Sequence, residues 1–357
     1  MKIPHSLFAR ALPLWALFFA ACAPASRGPE TQYVLGVFCT INLFDKGKAS
    51  LYSLAFNRIR DLENIFSANL EGTDLDRVNK SAGLNPVKVR QELMDVLEIA
   101  LEYAEKSGGA FDPTVGPLVK LWGIGTDKER VPETEEIQKA LELIDYREVE
   151  INREEETVFL KRAGMALDLG AIAKGYMADE VAKLLADEGV NDGIIDLSGN
   201  IFAMGERKER FKKSAYWRVG IQDPRADRGN YLGVINVKNK SLVTSGMYER
   251  FFEQDGKRYH HIFSTTSGFP VENNLLSVTI IADNSIDADA LSTAAFALGW
   301  EKGRELIAGV KGAEGIFVFD DLTARVTENM EENFTLTAAE YRLTLSPPVP
   351  AQKSENY

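Results

Sequence analysis

Helical and strand-like apolar patterns follow one another along the 357 residues without regular alternation. Apolar side chains recur at helical spacing over 48–66 (Leu51, Leu54, Ala55, Ile59, Leu62, Phe66) and again over Gln91–Lys106, which stops at Ser107-Gly108-Gly109. A third, shorter helix is expected over 134–144, with Thr134 as its cap and acidic residues in its first turn. A fourth follows the glycine turn after Leu169, over 172–187, and two more cover 287–298 and 301–308. Strand-like segments cover 33–44, 193–203, Trp217–Gln222, 231–243, 258–263, 276–283 and 315–319. A doubly wound parallel sheet needs strict βαβ repetition, so this order favours an α+β fold. No linker interrupts 31–345, which reads as a single interlocked domain.

Residues 1–21 read as an address rather than as structure. Lys2 and Arg10 lead into the apolar run from Leu12 to Phe19, and small residues precede Cys22. That run is shorter than the roughly 20 residues a membrane span needs. Phe19-Ala20-Ala21-Cys22 resembles a bacterial lipobox, in which Cys22 is acylated and becomes the mature first residue; secretion with a free Cys22 is the alternative. The expectation is a periplasmic protein, lipid-anchored to a bacterial membrane, the inner one by preference. Residues 22–30 would be its tether, and 346–357, with Pro347, Pro348 and Pro350, a disordered tail.

Charge and composition remove several classes. Lys and Arg total 41 against 53 Asp and Glu, a formal charge of −12; loss of Lys2 and Arg10 with the leader makes the mature chain about −14. Such a surface repels phosphate backbones, so no nucleic-acid partner is expected. Two cysteines, Cys22 and Cys39, exclude a disulfide scaffold and a four-thiolate zinc site. The only histidines are His5, His260 and His261, too few for a histidine-based metal centre.

Four constellations carry chemistry. In the run from Gly108 to Leu118, glycines close a helix and open a loop in which Ala110, Phe111 and Asp112 can approach a ligand; a self-capping aspartate turn is the plainer reading. Asp168-Leu169-Gly170-Ala171-Ile172-Ala173-Lys174-Gly175 ends in a helix start whose free N–H groups, with Lys174, suit a pyrophosphate, or it is simply a capped helix. Asp289 and Thr293 lie four apart on one helix face beside Ser292, a hard-oxygen set suited to Mg²⁺, with aspartate capping as the alternative. Thr244-Ser245-Gly246 is followed by His260-His261-Ile262-Phe263. Neighbouring strand residues face opposite ways, so only one histidine can serve as a base. There is no GxGxxG after a strand, no GxxxxGK[ST] and no GxSxG, which removes Rossmann, P-loop and α/β-hydrolase readings.

In this order the blocks GGAFDPTVGPLVKLWGIG, DLGAIAKGYMAD, TSGMYER with YHHI, and DADALSTAAFALG resemble the FAD:protein FMN transferase (ApbE-type) family. The resemblance implies a T-shaped α+β fold with mixed or antiparallel sheets, binding FAD in a cleft with Mg²⁺ at its pyrophosphate. It implies transfer of FMN to a threonine of a flavoprotein acceptor, periplasmic or membrane-bound, with release of AMP. Carried across, Asp289, Thr293 and the Ala171 carbonyl would hold Mg²⁺, and Ser292 sits where some relatives have an acidic ligand. Asp168 and Lys174 would contact the nucleotide, and Leu35, Asn69, Ala110, Phe111, Asp112, Ile262 and Phe263 would line the FAD site. His261 would be the general base, with His260 pointing away. The chain also departs from the family: Leu35-Gly36-Val37 replaces Met-Gly-Thr, Asn69 replaces an aromatic residue, Ser264-Thr265 replaces Asp-Pro, and Asn200 replaces aspartate. Loss of the aromatic surface at Asn69 would admit water, so FAD hydrolysis to FMN and AMP is expected beside transfer. FAD hydrolysis alone, or a flavin-binding lipoprotein without turnover, are the alternatives.

Overall fold

The computed structural model describes residues 28–207, 216–330 and 332–345. The expected leader, Cys22 and the tail lie outside them. Within them, nine strands form one sheet whose spatial order follows the chain: Glu30–Val34, Val37–Leu43, Gly193–Asp196, Asn200–Met204, Lys240–Gly246, Leu275–Ala282, Glu314–Phe319, Thr323–Val326 and Arg342–Leu345. Every pairing is antiparallel except the last, which is parallel. The α+β expectation holds, with α-helices Ala173–Asp187 and Ser285–Ala308 laid against this sheet.

Seven α-helices are present among the described residues: α1 (Ala49–Phe66), α2 (Asp74–Lys80), α3 (Gln91–Lys106), α4 (Gly116–Trp122), α5 (Thr134–Leu141), α6 (Ala173–Asp187) and α7 (Ser285–Ala308). Gly299 breaks α7 with non-helical backbone (φ 76°), which separates the two helices expected there. The cap of α5 lies one residue before the expected one: Glu133 takes that place through reciprocal bonds with Glu136, and Thr134 is the first residue of the helix.

The main sheet is covered on both faces. Alternation along its central strands sends Val243, Ile280 and Phe317 towards α6 and α7, and Leu242, Ile281 and Ile316 the other way. That second face packs on a three-stranded sheet of Trp217–Gln222, Tyr231–Val237 and Phe334–Leu336. Burial on both sides leaves every residue of Leu275–Ala282 but Leu276 buried, Ser277 and Thr279 included. A third cluster joins α4 and α5 to Phe252 and Phe263, and the Trp122 indole N–H ties it to the Gly268 carbonyl (2.9 Å).

Two expected strands are hairpins. Residues 33–44 turn at Leu35-Gly36, where Leu35 (φ 59°) and Gly36 (φ 70°) both adopt left-handed backbone. Residues 193–203 turn at 197–199, between the paired strands Gly193–Asp196 and Asn200–Met204. Residues 231–243 instead divide at Lys238-Asn239 into two strands that enter different sheets. The strand at 258–263 ends at His260, which leaves His261 just beyond it. No helix of the described residues is long and apolar enough to cross a membrane.

Candidate active site

The site grows from the way α6 and α7 begin. Neither helix has a side-chain cap of its own. Instead each takes its cap from the other. Asp179 of α6 accepts the Ser285 and Ile286 N–H groups (2.7 and 2.9 Å), and Asp289 of α7 accepts the Gly175 N–H (2.9 Å). The offset is four residues in both directions, so the exchange sets the register of the two starts. Gly175 permits the approach: a Cβ there would meet the Ser285 carbonyl oxygen at 2.3 Å. Burial pushes the Asp179 carboxyl up to about 7.

This juncture brings together the second and third constellations. Asp289 is buried at 3% exposure, and the Lys174 ammonium sits between its carboxylate (3.5 Å) and the Gly170 carbonyl (3.1 Å). Asp168 accepts the Gly170 N–H (2.8 Å) and donates its own backbone N–H to the Pro113 carbonyl (2.8 Å), which joins the Ala110–Pro113 loop to the same turn. Ala171 is half-buried in that turn. Ser292 and Thr293 lie one turn along α7, and both hydroxyls reach Ser245 (2.8 and 3.2 Å).

Among the described residues no three His, Cys, Asp or Glu side chains cluster for a metal. One buried carboxylate, two hydroxyls and the carbonyls of the Gly170–Ala171 turn are nevertheless hard oxygen donors of the kind Mg²⁺ takes alongside substrate phosphates. The residues fit such an ion, provided a bound pyrophosphate completes its shell.

The two histidines separate as expected, for a reason beyond strand alternation. His260 is buried, its Nε2–H donates to the Val271 carbonyl (3.0 Å), and its Nδ1 accepts the Ile262 N–H (3.3 Å). Both nitrogens are spent. His261 is held twice by the Arg250 carbonyl, through its backbone N–H (3.2 Å) and its Nδ1–H (3.1 Å). That places the ring proton on Nδ1 and leaves Nε2 with a free lone pair. Burial, reinforced by the Arg250 and Lys174 charges, pushes its pKa down to about 4. The imidazole is therefore neutral throughout the physiological range.

The remaining expected ligand contacts divide. Leu35 is half-buried at its hairpin tip. Asn69 is exposed, its backbone N–H on Ser67 Oγ (3.2 Å). Asp112 is engaged within its own loop: it accepts from the Thr114 N–H (2.8 Å), the Thr114 hydroxyl (2.6 Å) and the Tyr146 N–H (3.2 Å), and burial raises its pKa. Phe111 is buried in the main core, as is Ile262, while Phe263 packs on Trp122. Their side chains build the wall rather than its surface, and Ala110 is the half-buried member of that loop. Ala110 also borders a cavity of about 790 Å³ between the 264–272 loop and α7. Neither that cavity nor a neighbouring one of about 680 Å³ includes Asp289, Lys174 or His261.

Three contributors escape sequence reading. Gly175 and Asp179 show their purpose only once α6 meets α7, and Ser245 carries no spacing relation to α7. The small residue one turn into α6 is the one signal available for them. Asn200 is buried and accepts from Ser285 Oγ (2.6 Å), while its Nδ2 finds no partner among the described residues.

Comparison with known proteins gives the family and the fold. The ApbE family profile matches residues 35–317. The chain is 40% identical over 339 residues to the FAD:protein FMN transferase of Treponema pallidum, covering 90% of this chain and 94% of that protein. It is 37% identical over 285 residues to a FAD:protein FMN transferase of Klebsiella pneumoniae, covering 80% and 87%. Among solved structures, the ApbE protein of Thermotoga maritima superposes with a TM-score of 0.74 at 31% identity, over 82% of this chain and 94% of that one. The apo flavinyl transferase ApbE of Pseudomonas stutzeri gives 0.71 at 28% identity, over 87% and 93%. This chain belongs to the ApbE family.

Proposed function

We propose that this protein moves the FMN half of FAD onto a threonine hydroxyl of a flavoprotein acceptor and releases AMP, with Mg²⁺ held against the pyrophosphate. The observation that carries the reading is the reciprocal capping of α6 and α7, which brings Asp289 and Lys174 together where the two helices start. The names and coverage of the relatives support the same activity.

Phosphoryl transfer asks a protein for alignment and charge neutralisation more than for covalent help. Bound Mg²⁺ would neutralise developing charge on the phosphate oxygens, held by Asp289, Thr293 and the Ala171 carbonyl. Lys174 adds a positive charge at the same place, within 3.5 Å of Asp289. His261 accepts the threonine proton at Nε2 as the threonine oxygen bonds to the FMN phosphorus. The anhydride bond breaks, and AMP leaves with its electron pair. The Arg250 carbonyl keeps the ring oriented and its other nitrogen protonated throughout.

Water in place of threonine gives FMN and AMP by the same route. Exposed Asn69 favours this second outcome, because it offers the flavin no ring to stack on. The leader and Cys22 support a periplasmic, lipid-anchored location. The test is incubation of the mature protein with FAD and Mg²⁺, with and without a threonine-bearing acceptor, measuring AMP in both arms and added mass on the acceptor. Mass and AMP together report transfer, AMP alone reports hydrolysis, and a stable FAD complex with neither refutes the proposal.

A further inference from the structure

The hydroxyl groups behind the metal-site residues form a chain whose direction can be worked out. The Ser292 hydroxyl donates to the Asp289 backbone carbonyl (2.9 Å), an oxygen that can only accept. A hydroxyl has one proton, so in the 2.8 Å contact with Ser245 the Ser292 oxygen must accept and Ser245 must donate. Ser245 has then spent its proton. In its 3.2 Å contact with Thr293 it accepts, and Thr293 donates. The proton of Thr293 is thereby turned towards the strand Lys240–Gly246, and its lone pairs are left for another partner.

From this we infer that Ser245 is a positioning residue for cation binding: it draws the Thr293 proton aside so that Thr293 presents an oxygen lone pair to Mg²⁺. A hydroxyl free to rotate would offer its proton to the cation for part of the time and lose that attraction. The same chain assigns Ser292 an orienting task, since it is fully buried with its hydroxyl committed to Asp289 and Ser245. In this role Ser245 acts through Thr293, the hydroxyl it contacts at 3.2 Å. The inference rests on the Mg²⁺ site proposed above.

The test compares the wild-type protein with Ser245→Ala, Ser245→Thr, Thr293→Val and the Ser245→Ala/Thr293→Val pair. Two readouts without turnover serve: calorimetric Mg²⁺ affinity in the presence of FAD, and the rise in Tm on adding Mg²⁺. Hydrogen-bond partners that orient metal ligands are worth about 10- to 100-fold in affinity. Ser245→Ala should therefore weaken Mg²⁺ binding by about that factor, leave metal-free Tm near wild type, and raise the Mg²⁺ needed for half-maximal rate more than it lowers kcat. Ser245→Thr should restore binding, and the double variant should bind no more weakly than Thr293→Val alone. Wild-type Mg²⁺ affinity in Ser245→Ala, or losses that add in the double variant, would overturn the inference. A wild-type protein with no Mg²⁺ dependence would instead overturn the metal site itself.

Discussion

Gly175→Ala offers the most direct trial of the reciprocal-cap geometry. The added Cβ would lie 2.3 Å from the Ser285 carbonyl oxygen, 2.6 Å from the Ile286 Cα and 2.7 Å from the Ser285 carbonyl carbon, against an ordinary contact of 3.4 Å or more. All three atoms are backbone, so no rotamer change relieves the clash. The start of α7 has to move away from α6 by about 1 Å. The Gly175–Asp289 bond and the two Asp179 bonds run at 2.7–2.9 Å between the same helices, and that displacement takes them beyond hydrogen-bonding range. Overpacking of this kind costs about 1–3 kcal/mol, and about 2 kcal/mol corresponds to a fall of roughly 3 °C in Tm for a domain of this size. The functional loss should be larger in proportion, because misplacing a catalytic group by about 1 Å can cost about 100-fold in rate. Thermal unfolding followed by circular dichroism gives the first number, and AMP release from FAD at saturating Mg²⁺ gives the second. A Gly175→Ala protein that keeps wild-type Mg²⁺ dependence and turnover would refute the claim that this close approach builds the site.

His261 should set an unusual pH profile. A base works when unprotonated, and burial lowers its pKa from 6.5 to about 4, so His261 itself should add no fall in kcat/KM until pH nears 4, whereas protonation of Asp179 gives a limb near 7. An acid limb near 6.5 that persists in Asp179→Asn would contradict the assignment, and His261→Gln should slow transfer by about 10²- to 10⁴-fold. Asn69→Tyr should restore a stacking surface at the exposed loop after α1, tightening FAD and lowering acceptor-free AMP release; unchanged AMP release would count against that role.

Local signals were legible wherever one segment carried its own reason. α3 begins and ends at its expected residues because an amphipathic run meets Ser-Gly-Gly, and the separation of the two C-terminal helices follows from Gly299. The hairpin at 33–44 is not legible as a turn, because its apolar run continues through the bend and Leu35 occupies a left-handed position that sequence rules reserve for glycine or asparagine. α4 escaped notice because glycines flank its seven residues. Among the site residues, His261, Asp289 and Lys174 stood out by chemical type. Asp112, Phe111 and Ile262 also stood out, yet their side chains serve the loop and the core.

What the amino-acid order settled alone was the α+β class, the acidic surface and the stock of oxygen donors, since periodicity, charge and residue type are properties of short stretches. Which donors meet was decided in three dimensions. Asp289 lies 114 residues from Gly175 and Ser245 lies 47 from Ser292, and only the packing of α6 and α7 on the central strands closes those distances. The same packing sets the protonation of His261, because desolvation depends on what surrounds a ring in space and not on its neighbours along the chain.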